Sequence, residues 1–290
     1  MHQKKYILNA TCCAGRGIVA AISGYLAQAG CYIHSLEQYD DDITATFFLR
    51  SVFSIPEYPG ITIGTIENGF APIAARYNME VNIHDPDQLP KVMIMVSKQD
   101  HCLEDMLYRK RSGELQMDVS AIVSNHLKLK PIADHHQIPF YHLPITKETK
   151  PEQEAKLLAL VEETQTELVV LARYMQILSD KACAALEGRC INIHHSFLPG
   201  FKGARAYHQA YERGVKYIGA TAHYVNSDLD EGPIIEQVIT RVDHNYRAEE
   251  LARLGRDNES QALSKAVKYH LERRVFLDGR KTVVFLGGHY

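Results

Sequence analysis

The chain has no surplus of basic residues, no long apolar run and no paired cysteines, and each absence argues against a class of function. Its 290 residues carry 32 Lys and Arg against 35 Asp and Glu, a formal net charge of −3. Nothing in that balance neutralises a row of phosphates, which argues against a sequence-independent nucleic-acid binder. No stretch approaches the ~18 apolar residues of a membrane span. The opening Met1-His2-Gln3-Lys4-Lys5-Tyr6 lacks the apolar core of a signal peptide. The six cysteines show no C-x-x-C pair and no regular spacing, and read as reduced, mostly buried thiols of a cytoplasmic protein. What remains is 46% hydrophobic and 23% charged, an ordinary globular composition in a chain long enough for two domains.

The two halves have different rhythms. Lys5 to Cys12 predicts a strand, Gly17 to Ala29 a helix, Cys31 to Tyr39 a strand, and Asp40-Asp41-Asp42 a solvated hairpin turn into a third strand over Thr44 to Phe53. A helix over Gly64 to Tyr77 and a strand over Glu80 to His84 complete βαββαβ, the ferredoxin-like order. Gly15-Arg16-Gly17-Ile18-Val19-Ala20 fits a dinucleotide fingerprint, with Glu37 an acid at the expected remove. The second strand is followed by a turn and a third strand rather than a crossover helix, so the glycines read instead as a tight turn into the helix. Asp85 to Pro90 reads as a linker, placing one domain over residues 1–85 and another over 86–290. In the second, strands at Lys91 to Val96, Asp118 to Val123, Phe140 to Leu143 and Leu168 to Ala172 alternate with helices at Leu103 to Arg111, Glu152 to Thr164 and Gln176 to Leu186. That alternation predicts a Rossmann-like, mostly parallel α/β sheet. A long helix over Arg247 to Arg274 and a strand over Thr282 to Leu286 follow.

The densest chemistry lies in Cys190-Ile191-Asn192-Ile193-His194-His195-Ser196-Phe197-Leu198-Pro199-Gly200-Phe201-Lys202-Gly203 and in Asp228-Leu229-Asp230-Glu231-Gly232-Pro233-Ile234-Ile235. A strand sends alternate side chains to one face, so Asn192 and His194 address one volume. Asp230 adds a carboxylate on a loop. An amide donor, an imidazole and a carboxylate suffice to move an acyl group to a nucleophile or to water. The His194-His195 pair has no third ligand at metal spacing on a shared element, so no metal is expected. His135, His136 and His142 read as a helix end and a strand surface.

These motifs resemble the formyltransferase family that uses 10-formyltetrahydrofolate, and within it the deformylases. The likeness extends through Val96 to Leu103, Ile138 to Pro144, Ala172 to Ser179 and Gly219 to Val225, and the first half resembles an ACT regulatory module. The resemblance implies hydrolysis of 10-formyltetrahydrofolate to formate and tetrahydrofolate, with formate feeding purine synthesis. The folate is then the substrate and no cofactor is needed. It implies Asn192 as oxyanion donor, His194 as polarising and proton-transferring group, and Asp230 as the group that holds and deprotonates water. It also implies a pterin pocket of Met175, Gln176, Leu178, Val225, Asn226, Asp228 and Leu229, with His223 supporting His194 or Asp230.

Two alternatives stand beside hydrolysis: formyl transfer to an amine, as in a glycinamide ribonucleotide transformylase, and a non-catalytic folate-binding regulator. The transformylases are expected to grip a phosphate with a glycine-rich loop where this chain has Ser97-Lys98-Gln99-Asp100-His101, which favours water. ACT modules imply an amino-acid effector and a homo-oligomer. Ala14 and Gly15, standing where such modules carry Asp and Arg, argue against the effector, and Ala206 replaces a proline after the site loop.

Overall fold

Tyr6, Leu8, Ala10 and Cys12, every second residue of β1 (Lys5–Cys13), are buried and fix which face of the first sheet is covered. The computed structural model describes residues 3–57, 60–200 and 206–287. After β1 come α1 (Ile18–Gln28), β2 (Tyr32–Asp41), β3 (Thr46–Ser54), α2 (Ile63–Tyr77) and β4 (Glu80–His84), the βαββαβ order. The sheet runs β2-β3-β1-β4, antiparallel throughout. Gly17 caps α1 at φ 84°, a left-handed conformation that favours glycine, so the Gly15–Gly17 pair is a turn into a helix. Thr62 and Thr65 bond each other's backbone N–H at the start of α2, and Asn78 closes it at φ 46°. Ile18, Ile22, Leu26, Phe47, Leu49, Phe53, Ile66 and Phe70 form the core under this sheet.

The acidic turn is not simply solvated. Asp41 is 2% exposed, and its Oδ1 accepts from the backbone N–H of Ile43 and Thr44 at 2.8 and 3.1 Å. A short side chain that satisfies turn amides is worth burying, which an acidic triplet does not reveal.

The division of the chain also differs from the expected break at residue 86. The first unit holds residues up to 88 together with Glu272–Asp278 and residues 283–287, and the second holds Leu89–Leu271 with Gly279–Thr282. The last strand predicted for the second half is instead part of a hairpin, β12 (Val275–Asp278) with β13 (Lys281–Val284), most of which joins the first unit. Phe48 meets Phe276 edge-on at 5.6 Å, and Phe276 meets Phe285 at 5.5 Å. Buried Arg50 donates to the Glu272 carbonyl, and Asn9 Nδ2 donates to the Arg273 carbonyl at 3.0 Å. The contacts of Phe48, Arg50 and Asn9 span more than 200 positions, beyond the reach of any local pattern.

The second unit is strand-helix alternation: β5 (Lys91–Val96), α3 (His101–Arg111), β6 (Asp118–Ser124), α4 (Lys130–His135), β7 (Phe140–His142), α5 (Lys150–Glu163), β8 (Leu168–Leu171), α6 (Asp180–Ala185) and β9 (Cys190–His194). Then follow α7 (Ala206–Glu212), β10 (Tyr217–Tyr224), β11 (Ile234–Arg241) and α8 (Ala248–Leu271). The sheet order is β11-β10-β9-β8-β5-β6-β7. The five strands from β9 to β7 are parallel, and β10 and β11 are added antiparallel at one edge. All four residues of β8 and five of six in β5 are buried, as central parallel strands require. The helix expected over Gln176 to Leu186 begins only at Asp180, where Ser179 accepts from the Ala182 N–H. The preceding segment is held open instead, because Met175 N donates to Ser97 Oγ and Ser179 N to Glu154 Oε1. None of the described helices is long and apolar enough to cross a membrane.

Phe276→Ala is expected to destabilise the protein by about 3–5 kcal/mol, as for buried aromatics elsewhere. Leu277→Ala, at a side chain 44% exposed, is expected to stay within about 0.5 kcal/mol. Urea unfolding checks both, and equal effects would contradict the packing described.

Candidate active site

Antiparallel pairing of β9 with β10 builds the site. Its register sets Asn192 opposite His223 and His194 opposite Thr221. Directly opposed residues share a face, so Asn192 Nδ2 lies 3.2 Å from His223 Nε2. His223 Nδ1 donates to the Tyr224 carbonyl at 2.8 Å, because a carbonyl can only accept. In the neutral ring Nε2 is then the acceptor, which turns the amide nitrogen of Asn192 toward it. One amide hydrogen of Asn192 is used in this way, and the second is left for another acceptor. The chain after β10 bends back so that Asp230, at φ 58°, faces the same strand end. Its Oδ2 accepts from His194 Nδ1 at 3.2 Å, and its Oδ1 lies 3.8 Å from His223 Nε2.

Burial of Asp230 works against its charge. The hydrogen bond and charge of His194, joined by those of His223 when its ring is protonated, outweigh that penalty and hold its carboxyl well below the usual carboxylate range. A group shifted this way contributes stability above its unfolded pKa and loses it only as pH falls through the lowered folded value. Near neutrality Asp230 is a carboxylate. In His195 burial prevails instead: burial first, then the nearby Arg173 and His194, push its pKa from 6.5 down to about 4.

All the residues singled out from sequence for this site line one cavity of about 260 Å³, including the Met175–Leu178 and Val225–Asp230 loops. The loop after β9 is pinned by Thr221, whose Oγ1 donates to the Ser196 carbonyl and accepts from Leu198 N. Gln237 Nε2 secures the same turn by donating to the Leu198 carbonyl at 3.0 Å. The remainder of that motif, from Phe201 through Lys202 and Gly203 to residue 205, lies outside the described residues, as does the side chain of Ala206.

Several groups escaped the sequence reading. Glu259, on α8, is 1% exposed and accepts from His101 Nε2 at 2.8 Å and from the Tyr207 hydroxyl at 2.7 Å. Arg173, just after β8, lies 3.3 Å from it through Nε and also donates to Gln99 Oε1 at 2.8 Å. Burial opposes ionisation of Glu259, and His101 and Arg173 restore it by lowering the pKa. The fold also gathers His101, Cys102 and Glu259 within 4.8 Å, a grouping that no spacing along one element suggests. Burial and the Glu259 charge push the Cys102 thiol far up, so it offers no thiolate near neutral pH. The carboxylate is engaged by three partners, so the cluster reads as an ion-pair network. A lone arginine at a strand end was the one available signal.

The formyl transferase family matches residues 90–267. The chain is 49% identical to a formyltetrahydrofolate deformylase of Corynebacterium sp. (strain P-1), over 97% of this chain and 98% of that protein. The chain belongs to the formyltetrahydrofolate deformylase family. A crystal structure of a formyltetrahydrofolate deformylase from Burkholderia mallei superposes with a TM-score of 0.93 at 54% identity, covering 97% of this chain and 99% of that one. One from Pseudomonas syringae gives 0.94 at 41% identity, covering 98% and 95%.

In this deformylase-family site Gly232 has no room for a side chain. A Cβ there would lie 1.7 Å from the Tyr224 carbonyl oxygen, which orients His223, and 3.2 Å from His223 Nδ1. Gly232→Ala is expected to shift that carbonyl and cut turnover by about 100-fold, the scale of a 1 Å misplacement. Steady-state kinetics on the folded variant check it, and wild-type turnover would contradict the role of the carbonyl. In an NMR titration the His195 ring is expected to have its midpoint near 4, and one near 6.5 would contradict burial as the controlling effect.

Proposed function

We propose that the chain hydrolyses 10-formyltetrahydrofolate to formate and tetrahydrofolate. The observation that carries the reading is the convergence of Asn192, His194 and Asp230 in one cavity, with His194 Nδ1 and Asp230 Oδ2 at 3.2 Å. Membership of the deformylase family over nearly the whole length supports it.

Asp230, kept ionised, accepts a proton from water as the water oxygen attacks the formyl carbon. The carbonyl oxygen becomes an oxyanion and takes hydrogen bonds from the spare Asn192 amide hydrogen and from His194. Donors of this kind each contribute roughly 100- to 1,000-fold. Collapse re-forms the carbonyl, breaks the bond from carbon to N10, and passes a proton to N10 by way of His194. The products are the secondary amine of tetrahydrofolate and formate. His223 sets the amide of Asn192 and serves as a positioning residue. Met175, Gln176, Leu178, Val225, Asn226, Asp228 and Leu229 bound the space for the pterin. No cofactor enters these steps.

Water is favoured over a phosphate-bearing amine by the loop after β5. It carries Asp100 and no glycine, and its Gln99 is engaged by Arg173. The first unit, with the ferredoxin-like element order of an ACT module, is the regulatory and oligomer-forming part of this reading. Ala14 and Gly15 remove the acid and arginine that an amino-acid effector site would use.

Asp230→Asn keeps size and removes the base. It is expected to lower formate release by at least ~100-fold while folate binding persists. Incubation of the wild-type protein with 10-formyltetrahydrofolate and no amine tests the reaction itself, and absence of formate would overturn the proposal.

A further inference from the structure

Arg173 is the feature of the cavity that hydrolysis as written does not use. It lies beyond β8, after Ala172, at φ 63°, a left-handed conformation costing a residue with a side chain about 1–2 kcal/mol. Such outliers persist where the surroundings hold them, and they gather at functional sites. Here the strained backbone aims a long cationic side chain inward: the residue is 8% exposed and lines the same cavity as Asn192, His194 and Asp230.

A guanidinium carries five N–H donors. The Nε–H is engaged by Gln99 Oε1 at 2.8 Å and lies 3.3 Å from Glu259 Oε2. Among the described residues none accepts from the two terminal nitrogens, which carry the other four hydrogens. Neither terminal nitrogen is among the buried atoms that lack a partner, so this edge of the fork opens onto the cavity and is available to an acceptor that enters it. Glu259 does not supply it, because its two oxygens are taken by His101 and Tyr207 as well as by Nε. The planar edge of a guanidinium matches the two oxygens of a carboxylate.

We propose that Arg173 forms a binding site for a small carboxylate, the formate released by the reaction, through its two terminal nitrogens. The inference rests on the hydrolytic reading for the identity of the anion, although not for the existence of the site. Formate is generated beside the Asp230 carboxylate, which repels it once the carbon–nitrogen bond has broken. Arg173 provides the opposite charge across the same cavity, so the anion is drawn off the reacting groups before it leaves. Neutral His195, next to both Arg173 and His194, adds no competing positive charge near pH 7.

The test measures binding of ¹³C-formate to the full-length protein by NMR at fixed ionic strength, with chloride as the control anion and no folate present. Wild-type protein is expected to bind formate saturably. In R173K, which keeps the charge but not the fork, the dissociation constant is expected to rise at least tenfold. In R173Q binding is expected to vanish, and folate binding reports whether each variant retains its cavity. If R173Q does not fold, R173K decides. No saturable binding to the wild type, or an unchanged constant in folded R173K, overturns the proposal. Production of formate from 10-formyltetrahydrofolate is followed separately, so a protein that binds formate without making it would refute the hydrolytic reading alone.

Discussion

The register between β9 and β10 is the constraint on which the rest of the site depends. Because Asn192 faces His223 across the pair, one imidazole both orients the amide and leans toward Asp230. A slip by one position would turn Asn192 and His194 to the other face together, since strand side chains alternate. The register is secured on both sides. Val225 N donates to the Cys190 carbonyl, and Thr221 ties β10 to the turn that follows β9. The parallel strands bring other loops to the same end of the sheet, whereas Asn192, His194, Thr221 and His223 sit within this antiparallel ladder.

Within the second unit Asp230 and Glu259 are carboxylates drawn out of solvent, and each is held ionised by basic neighbours. Asp230 is held by His194 and His223, and Glu259 by His101 and Arg173. Burial alone would neutralise both groups. The two differ in what their partners leave available. Asp230 faces the cavity, where it can receive a proton. Glu259 is fully engaged and instead anchors the guanidinium whose outer edge looks into that cavity. Hydrolysis needs a carboxylate that keeps its charge while a second anion forms alongside it, and separating the two acids in this way meets that need.

Much of this was legible in the sequence, and for identifiable reasons. The N-x-H spacing on an apolar run is a strand signal that places two side chains on one face without any tertiary information. Asp230 stood out as a loop carboxylate, but its role and the Val225–Leu229 loop came through the resemblance to a family, since nothing local says that a loop carboxylate turns back upon a strand. What stayed hidden was long-range or contrary to residue type. Asp41 looks solvated until its turn amides are counted. Arg50, Phe276 and Phe285 declare that the chain re-enters the first unit only once it has folded. Arg173 and Glu259 are 86 positions apart on different elements, and no periodicity connects them. The helix expected from Gln176 begins only at Asp180, because bonds to Ser97 and Glu154 hold Met175 to Ser179 as a loop.

Turnover requires solvent, activated by an ionised Asp230, to reach the formyl carbon. Turnover of unlabelled 10-formyltetrahydrofolate in water enriched in oxygen-18, with mass analysis of the product, measures this directly. Formate carrying one oxygen-18 atom per molecule is the result expected. Formate without the label would contradict attack by water and, with it, the roles given to all three converging groups.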